Sequence, residues 1–279
     1  MLKPVCLKNG LFHENILLAY SYLCTQMDRI RILNAELVAA TQEELLEELG
    51  QGVVVTPNID HLMKLQKNRE LYDLYQKTEW VICDSRLLYL FAKLLPQRLP
   101  QAIPGSSFFP AFYMHHREDE DCRIFLLGGM GDVAQRAMEN INRKVGRSIV
   151  VGAYSPSYGF DSKPEENEEI VKMIQASGAN VVPVCVGCPK QEKWIFQYKD
   201  QLPEVKIWMA LGATIDFEAG NVKRAPKIWQ KLYLEWLYRF CQEPRRLFKR
   251  YFIDDMKFFW YFGKQLLGIY RNPFKEVEK

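Results

Sequence analysis

The chain alternates short runs of β-branched and apolar residues with segments of helical period, and this alternation most constrains its fold. Six runs have the length and composition of buried strands: 52–56, 80–83, 123–127, 148–153, 181–186 and 205–211. The intervening patterns predict helices at 43–49, 58–76, 86–95, 105–117, 132–144, 164–176 and 190–199. Strands that alternate with helices form a mostly parallel sheet covered on both faces. We therefore predict an α/β fold with a Rossmann-like, mostly parallel sheet and helices on both faces.

The carboxyl ends of the predicted strands indicate where a ligand should bind, because open parallel sheets bind ligands beyond that edge. Polar residues and glycines follow nearly every predicted strand. These tips are 56–58, 84–86, 128–129, 158–160, 187–192 and 212–216.

The C-terminal part differs in composition from the rest of the chain. Residues 222–279 contain 14 Lys and Arg against 6 Asp and Glu, a net charge of +8, and 15 of the 36 aromatic residues. Trp229, Trp236 and Phe240 share one face of a predicted helix that Pro244 interrupts. Cationic and aromatic residues that occur together are typical of a membrane-surface segment. We predict a membrane-associating helical appendage.

The domain organisation follows from these patterns. We divide the chain into an N-terminal extension at 1–28 with a helix at 15–27, an α/β catalytic domain at 29–220 and the appendage at 221–279. We expect no signal peptide and no spanning helix, since no run reaches about 18 apolar residues. A chain that ends near Gly220 is expected to stay folded.

The seven cysteines argue for a reducing, cytoplasmic location, because they are odd in number and lack framework spacing. Cys185 and Cys188 form a C-x-x-C motif. A zinc site would need a second pair, and a redox motif would open a helix after its first cysteine, whereas Cys185 lies inside a predicted strand. We predict no metal and no cofactor.

A glycine-rich loop follows the third predicted strand. Gly128, Gly129 and Gly131 precede a predicted helix, in the G-x-G-x-x-A pattern of a dinucleotide site. The next strand ends at Tyr154 without the acidic residue that binds a ribose, which disfavours a dehydrogenase. Two interpretations stay open. The loop contacts a nucleotide or phosphate at the helix N-terminus, or it is only a tight turn.

Two acidic positions suggest chemistry. Asp84 at a strand tip faces the predicted cleft as a general base, or it caps the helix that begins near Ser85. Asp119 and Asp121 match the D-x-D pattern of metal-dependent sugar-nucleotide enzymes. They precede a strand's amino end, so we interpret them as a solvated turn.

A series of short motifs follows in a fixed order between residues 29 and 251. They are Thr56-Pro57-Asn58, Asp84, Gly187-Cys188-Pro189-Lys190-Gln191-Glu192, Gly212-Ala213-Thr214-Ile215-Asp216, Arg224-Ala225-Pro226, Leu234-Glu235-Trp236-Leu237-Tyr238-Arg239 and Glu243-Pro244-Arg245-Arg246. Together they resemble bacterial glycosyltransferase family 26. This family includes the N-acetylmannosamine-type transferases of wall teichoic acid and enterobacterial common antigen synthesis and related exopolysaccharide enzymes.

The resemblance implies an inverting, metal-independent transfer from a UDP-sugar to a lipid diphosphate-linked acceptor at the inner face of the cell membrane. It puts Asp84 at the family's proposed catalytic base, Thr56 at its active-site threonine and Gln191 at the polar residue of its G-x-P-K-Q-E motif. With the glycine loop included, the residues expected to bind substrate are Asn58, Gly128, Gly129, Lys190, Glu192, Asp216, Arg224, Arg239, Arg245 and Arg246. A homo-oligomer fits this interpretation.

The residues also fit the chemistry that the resemblance implies. An inverting transfer needs a base for the acceptor hydroxyl, and without a metal the arginines and helix amides must stabilise departing UDP. The alternative is a non-catalytic sugar-nucleotide sensor or assembly subunit with the same fold. A nucleic-acid role fits the basic tail, but the strand tips offer no module that supports it.

Overall fold

A six-stranded parallel sheet forms the centre of the molecule. The computed structural model of the protein describes residues 27–222, 225–226, 228–229 and 234–275, with only the backbone of residue 246. The sheet contains β3 (Gly52–Val55), β4 (Trp80–Val81), β5 (Ile124–Gly128), β6 (Val150–Tyr154), β7 (Val181–Cys185) and β8 (Ile207–Ala210). Their order is β4-β3-β8-β7-β5-β6, and every paired neighbour is parallel.

Helices connect these strands and cover the sheet. They are α1 (Gln42–Glu48), α2 (Ile59–Leu65), α3 (Arg69–Gln76), α4 (Arg86–Ala92), α5 (Gly105–His115), α6 (Val133–Val145), α7 (Pro164–Ser177), α8 (Lys190–Tyr198) and α9 (Thr214–Glu218). Short 3₁₀ turns lie at Phe160–Ser162 and Lys199–Gln201. The predicted α/β fold is confirmed.

Alternate residues of each strand enter separate apolar layers. Val53 and Val55 belong to one buried cluster, whereas Val54 between them belongs to the other. The same division separates Leu127 from Leu126 on β5. Because both faces of the sheet are buried, the strands read as continuous apolar runs instead of polar–apolar alternation.

A β-hairpin that the sequence pattern did not predict begins the described domain. β1 (Arg29–Ile32) pairs antiparallel with β2 (Ala35–Val38). The turn places Leu33 at a φ of +55°, a left-handed conformation that usually favours glycine or asparagine. Buried Asn34 fixes this turn by donating from Nδ2 to the Leu65 carbonyl at 2.8 Å.

The predicted helix at 58–76 is two helices. α2 ends at Leu65, and Asn68 caps α3 by accepting a hydrogen bond from the Leu71 amide at 3.0 Å. A side-chain oxygen at this position satisfies an amide that would otherwise lack a partner at the start of a helix. The break orients α2 independently, so that its N-terminus lies at the edge of the sheet where ligands are expected.

The C-terminal segment forms α10 (Glu235–Gln242), α11 (Pro244–Lys249), a π-helical turn at Arg250–Asp254 and α12 (Lys257–Leu266). The predicted interruption is present, since Pro244 begins α11. Residues 230–233 of the predicted aromatic helix lie outside the described residues.

The last helix packs on the α/β domain instead of standing apart from it. Phe258 and Phe262 are 0% and 3% exposed and belong to the apolar layer that contains Val53. Gln265 accepts a hydrogen bond from the Leu33 amide at 2.7 Å and donates to the Arg31 carbonyl at 2.8 Å. Truncation near Gly220 would expose this layer. The division at 220 and the expectation that the shorter chain stays folded stay predictions.

The predicted extension at 1–28, with its helix at 15–27, lies outside the described residues except for its last two positions. Among the helices that the structure describes, none has the length and apolarity required to cross a membrane.

Candidate active site

The carboxyl ends of β3, β4, β7 and β8 face the segment from α10 to α12 across a cavity of about 490 Å³. This volume is in the range of small-molecule sites, roughly 300–1,000 Å³. Acidic, basic, imidazole and thiol side chains are all present in its walls. These are Asp60, His61, Lys64, Asp84, Arg86, Cys188, Glu235, Arg239, Arg250 and Asp255.

Asp84 follows β4 and lies on the wall of this cavity. Its Oδ1 accepts a hydrogen bond from the Gly105 amide, the first residue of α5, at 2.9 Å. Ser85 takes the capping role at α4, where its hydroxyl accepts from the Leu88 amide. The capping interpretation of Asp84 was therefore wrong for α4, and the carboxylate instead contacts the start of another helix.

Burial raises the pKa of the Asp84 carboxyl above its ordinary value, and this effect outweighs the other influences. The Gly105 hydrogen bond and the charge of Arg239 lower the pKa, and Glu235 raises it. A carboxylate with a raised pKa is a stronger proton acceptor, which suits a general base.

Thr56 and Asn58 form the tip of β3. Thr56 is 5% exposed and donates from Oγ1 to the Ala210 carbonyl at 3.2 Å, which fixes it to the neighbouring tip of β8. Asn58 caps α2, since its Oδ1 accepts from the His61 amide at 3.3 Å. Both residues line the cavity with Asp84.

Gln191 connects two strand tips. Its Oε1 accepts hydrogen bonds from the Gly187 amide at 3.2 Å and the Gly212 amide at 2.9 Å, and its Nε2 donates to Glu192 at 3.0 Å. Gln191 is 1% exposed and reaches the cavity lining, whereas Glu192 is fully buried behind it. These bonds hold the ends of β7 and β8 at a fixed separation.

Two arginines from the C-terminal segment enter the cavity wall. The Arg239 guanidinium lies 5.1 Å from the centre of the Phe217 ring and 3.8 Å from Glu235. Arg250 donates to Asn58 Oδ1 at 3.2 Å and lies 3.5 Å from Asp60. Both cations are therefore directed at the strand tips, where a phosphate group would meet them.

Asp60, Lys64 and Asp255 complete the charged network, and sequence analysis did not select them. Lys64 donates to Asp60 at 2.8 Å and to the Cys188 carbonyl at 3.0 Å. Burial raises the pKa of Asp255 to about 7, although Arg250 at 4.0 Å opposes this. The four-residue spacing of Asp60 and Lys64 on α2 could have indicated their ion pair from the sequence. The position of Asp255 beside Arg250 depends on tertiary packing, so the sequence gives no sign of it.

His61 and Cys188 lie side by side in the cavity lining. Burial lowers the pKa of His61 to about 3, so its ring is neutral. Burial raises the pKa of the Cys188 thiol.

Several residues expected to bind substrate lie beside the cavity and not in its lining. Lys190 pairs with Asp161 at 2.8 Å, and Asp216 is half-buried on α9. Arg245 is exposed on α11. Arg224 and the side chain of Arg246 lie outside the described residues. The assignment of these residues to substrate stays a prediction.

The glycine loop also lies outside the cavity lining. A side chain at Gly128, whose φ is +141°, would approach the Cys185 carbonyl oxygen to 2.4 Å, closer than van der Waals contact allows. This close approach of β5 to β7 explains the glycine without a ligand. Contact between Gly128 or Gly129 and a nucleotide stays a prediction.

The Asp119–Asp121 turn precedes β5 at the amino edge of the sheet, as expected. Asp119 pairs with His116 at 3.0 Å and accepts from the Asp121 amide at 3.1 Å. The D-x-D pattern is therefore far from the strand tips that line the cavity.

This arrangement supports one kind of chemistry. A half-buried carboxylate with a raised pKa lies near arginines in a cavity large enough for a small molecule. The carboxylate can accept a proton from a hydroxyl nucleophile, and the arginines can stabilise an anionic leaving group.

A comparison with protein families identifies the family of the chain. The family model described as "Glycosyl transferase WecG/TagA/CpsF family" matches residues 26–272 of the chain. The match covers the whole sheet, every residue of the cavity lining and the segment through α12.

Proposed function

The chain belongs to the WecG/TagA/CpsF family of glycosyl transferases, and on this premise we propose that it transfers a sugar from a UDP-sugar to a lipid diphosphate-linked acceptor. Its place is bacterial cell-surface polysaccharide synthesis. Family membership establishes transferase activity, and the cavity supports the choice of substrates. Donor and acceptor both carry a diphosphate, which is the chemistry that Arg239 and Arg250 fit.

The reaction is an inverting displacement. Asp84 accepts the proton of the acceptor hydroxyl as the hydroxyl oxygen attacks the anomeric carbon of the donor. The new glycosidic bond forms while the bond between that carbon and the UDP oxygen breaks, and its electron pair leaves with UDP. One base and one stabilised leaving group are sufficient for this step.

Leaving-group stabilisation comes from cations instead of a metal ion. Arg250 is held by Asn58 and Asp60 in the described state, and Arg239 lies near Glu235. A bound diphosphate offers stronger, bidentate acceptors, so both guanidinium groups re-pair with it as it enters. The burial of the site increases the strength of these contacts.

The single observation that carries this proposal is the meeting of two distant parts of the chain. The Arg250 guanidinium contacts Asn58 Oδ1, 192 residues earlier in the sequence, at the same cavity wall as Asp84. The base and the cations thus face one space, as a transfer reaction requires.

Membrane contact is proposed for a surface that differs from the predicted aromatic face. Trp229 and Trp236 are half-buried. Nine of the exposed large apolar side chains lie between the middle of α11 and the residues just after α12, and we call them the apolar surface. They are Phe248, Phe252, Ile253, Met256, Phe259, Trp260, Leu266, Leu267 and Ile269. This surface is beside the cavity, so shallow insertion would present the active site to a membrane-embedded acceptor at the cytoplasmic face.

UDP release tests the proposed function against the alternative of a non-catalytic sensor. The purified protein is given each of several UDP-sugars, with and without a lipid diphosphate-linked acceptor in vesicles. We expect release that depends on the acceptor. A sensor would bind a UDP-sugar and release no UDP with any acceptor in the panel.

A substitution on the apolar surface tests the proposed membrane contact in the same experiment. Trp260 is 67% exposed, so Trp260→Ser should leave the fold intact. Transfer to the vesicle-bound acceptor should fall, while transfer to a water-soluble analogue should stay unchanged. An equal effect on both acceptors would exclude the apolar surface as the membrane contact.

A further inference from the structure

Three chemically different ligand groups converge at the floor of the cavity. One ligand atom from each of His61, Cys188 and Glu192 lies within 4.8 Å of the other two. α2 supplies the histidine, the loop after β7 supplies the cysteine, and α8 supplies the glutamate. An imidazole, a thiol and a carboxylate are the protein ligands of zinc.

The carboxylate has an unused ligand atom. Glu192 is 0% exposed, and its Oε1 accepts from Gln191 Nε2 at 3.0 Å. Its Oε2 is buried and meets no N–H or O–H donor within the described residues, and the neighbouring hydrogen-bonding group is the thiol of Cys188. A thiol is a weak donor, so it replaces little of the hydration that the buried carboxylate loses. A cation in the cluster would complete its coordination.

The surroundings of the histidine also suit a metal ligand. His61 Nδ1 lies 3.0 Å from the hydroxyl of buried Tyr75. In the tautomer that donates the Nδ1 hydrogen to that hydroxyl, the lone pair of Nε2 is free, which is the arrangement common in metal-ligating histidines. The cation Lys64, which donates to the Cys188 carbonyl at 3.0 Å, is paired with Asp60 at 2.8 Å, and this pairing offsets its repulsion of a metal.

We infer that His61, Cys188 and Glu192 form a binding site for a thiophilic divalent cation of the zinc class. Zinc bonds of about 2.0–2.3 Å hold tetrahedral ligand atoms about 3.5 Å apart, so small side-chain rotations close the cluster on the ion. Binding releases the thiol proton of Cys188 to solvent. Since His61 and Cys188 line the cavity, water can reach a fourth position on the ion.

This site also assigns different roles to the two cysteines of the C-x-x-C motif. Cys188 meets a histidine and a glutamate from other elements, whereas Cys185 is buried within β7 and is not part of the cluster. A search for a second cysteine pair in the sequence could not find these partners. Cys185 therefore serves as a matched control for Cys188.

Cobalt provides a spectroscopic probe of the site, since a cobalt–thiolate bond gives a charge-transfer band in the near ultraviolet. The experiment uses the full chain with Cys6, Cys24 and Cys241 replaced by serine, which leaves Cys188 and the buried thiols of Cys83, Cys122 and Cys185. The protein is titrated with Co²⁺ alone, and the bound Co²⁺ is then displaced with Zn²⁺. Neither a sugar donor nor a sugar acceptor is present. The outcome is therefore independent of the proposed function.

We expect saturation at one ion per chain with a charge-transfer band. The band should be absent in Cys188→Ser and retained in Cys185→Ala, and Glu192→Gln should weaken binding at least about tenfold. Circular dichroism confirms that each variant is folded. A band that persists in Cys188→Ser, or the absence of saturable binding in the starting protein, would overturn the inference.

Discussion

The Asp84 carboxylate accepts a hydrogen bond from the Gly105 amide at 2.9 Å, and this contact fixes the proposed base from across the sheet edge. Gly105 can approach because it has no side chain. A Cβ there would lie 3.2 Å from the Leu211 side chain and 3.4 Å from Thr56 Oγ1. The tips of β3, β4 and β8 are thus packed around one backbone amide, which orients the carboxylate toward the cavity.

Gln191 is expected to act by positioning. Gln191→Ala leaves the Gly187 and Gly212 amides and the Glu192 carboxylate without this partner, and unpaired buried groups cost about 1–3 kcal/mol. Chemical denaturation should therefore show reduced stability, together with reduced transfer. Gln197→Ala, an exposed change on the same helix, is the control. Unchanged stability with lost transfer would instead point to a direct catalytic role.

Arg250 should contribute more to transfer than its neighbour Lys249. Arg250→Ala removes the cation that contacts Asn58 and Asp60, and we expect turnover to fall roughly a hundredfold. Arg250→Lys should restore little, because an ammonium cannot make bidentate contacts. Lys249 is exposed, so Lys249→Ala should be near neutral. Equal effects of the two alanine variants would remove Arg250 from the account.

Most of the sheet could be predicted from the sequence. Buried parallel strands are continuous β-branched runs, and Gly52–Val55 and Val181–Cys185 show this directly. The hairpin at residues 29–38 was not predicted, because its turn contains no glycine. Leu33 adopts the left-handed conformation there. The break before Asn68 escaped because helical period continues across it.

The site could be predicted only in part. Thr56, Asn58, Asp84, Gln191 and Arg239 line one cavity. The strand-tip rule selects the first four, and the motif order selects all five. Arg250 and Asp255 join them through the packing of the last helix on the domain. Such contacts between distant segments depend on tertiary structure, which periodicity does not encode.

Transfer should continue in excess chelator. Arg239 and Arg250, two of the cations that line the cavity, supply the charge that a metal would otherwise provide. UDP release is measured in EDTA and then after addition of magnesium or manganese. Activity that disappears in EDTA and returns with either ion would contradict leaving-group stabilisation by arginine.

Asp255 should make stability depend on pH. The folded chain keeps this proton up to about pH 7, whereas an unfolded aspartate releases it near pH 3.9, so folding takes up a proton between these values. Stability from this group is therefore lost as the pH rises through that window. Asp255→Asn should be more stable than the parent at pH 8, with a smaller difference at pH 4.5. A difference that is constant with pH would contradict the raised pKa.

The most direct test of the account is the comparison of Asp84→Asn with the parent protein, in turnover and in UDP affinity on the same samples. We expect turnover to fall about a hundredfold or more with UDP affinity nearly unchanged. Asp200→Asn, an exposed change, is the control. The parent's turnover should decline on the acidic side, as the raised pKa of Asp84 is crossed. Near-normal turnover of Asp84→Asn at every pH would show that Asp84 is not the base.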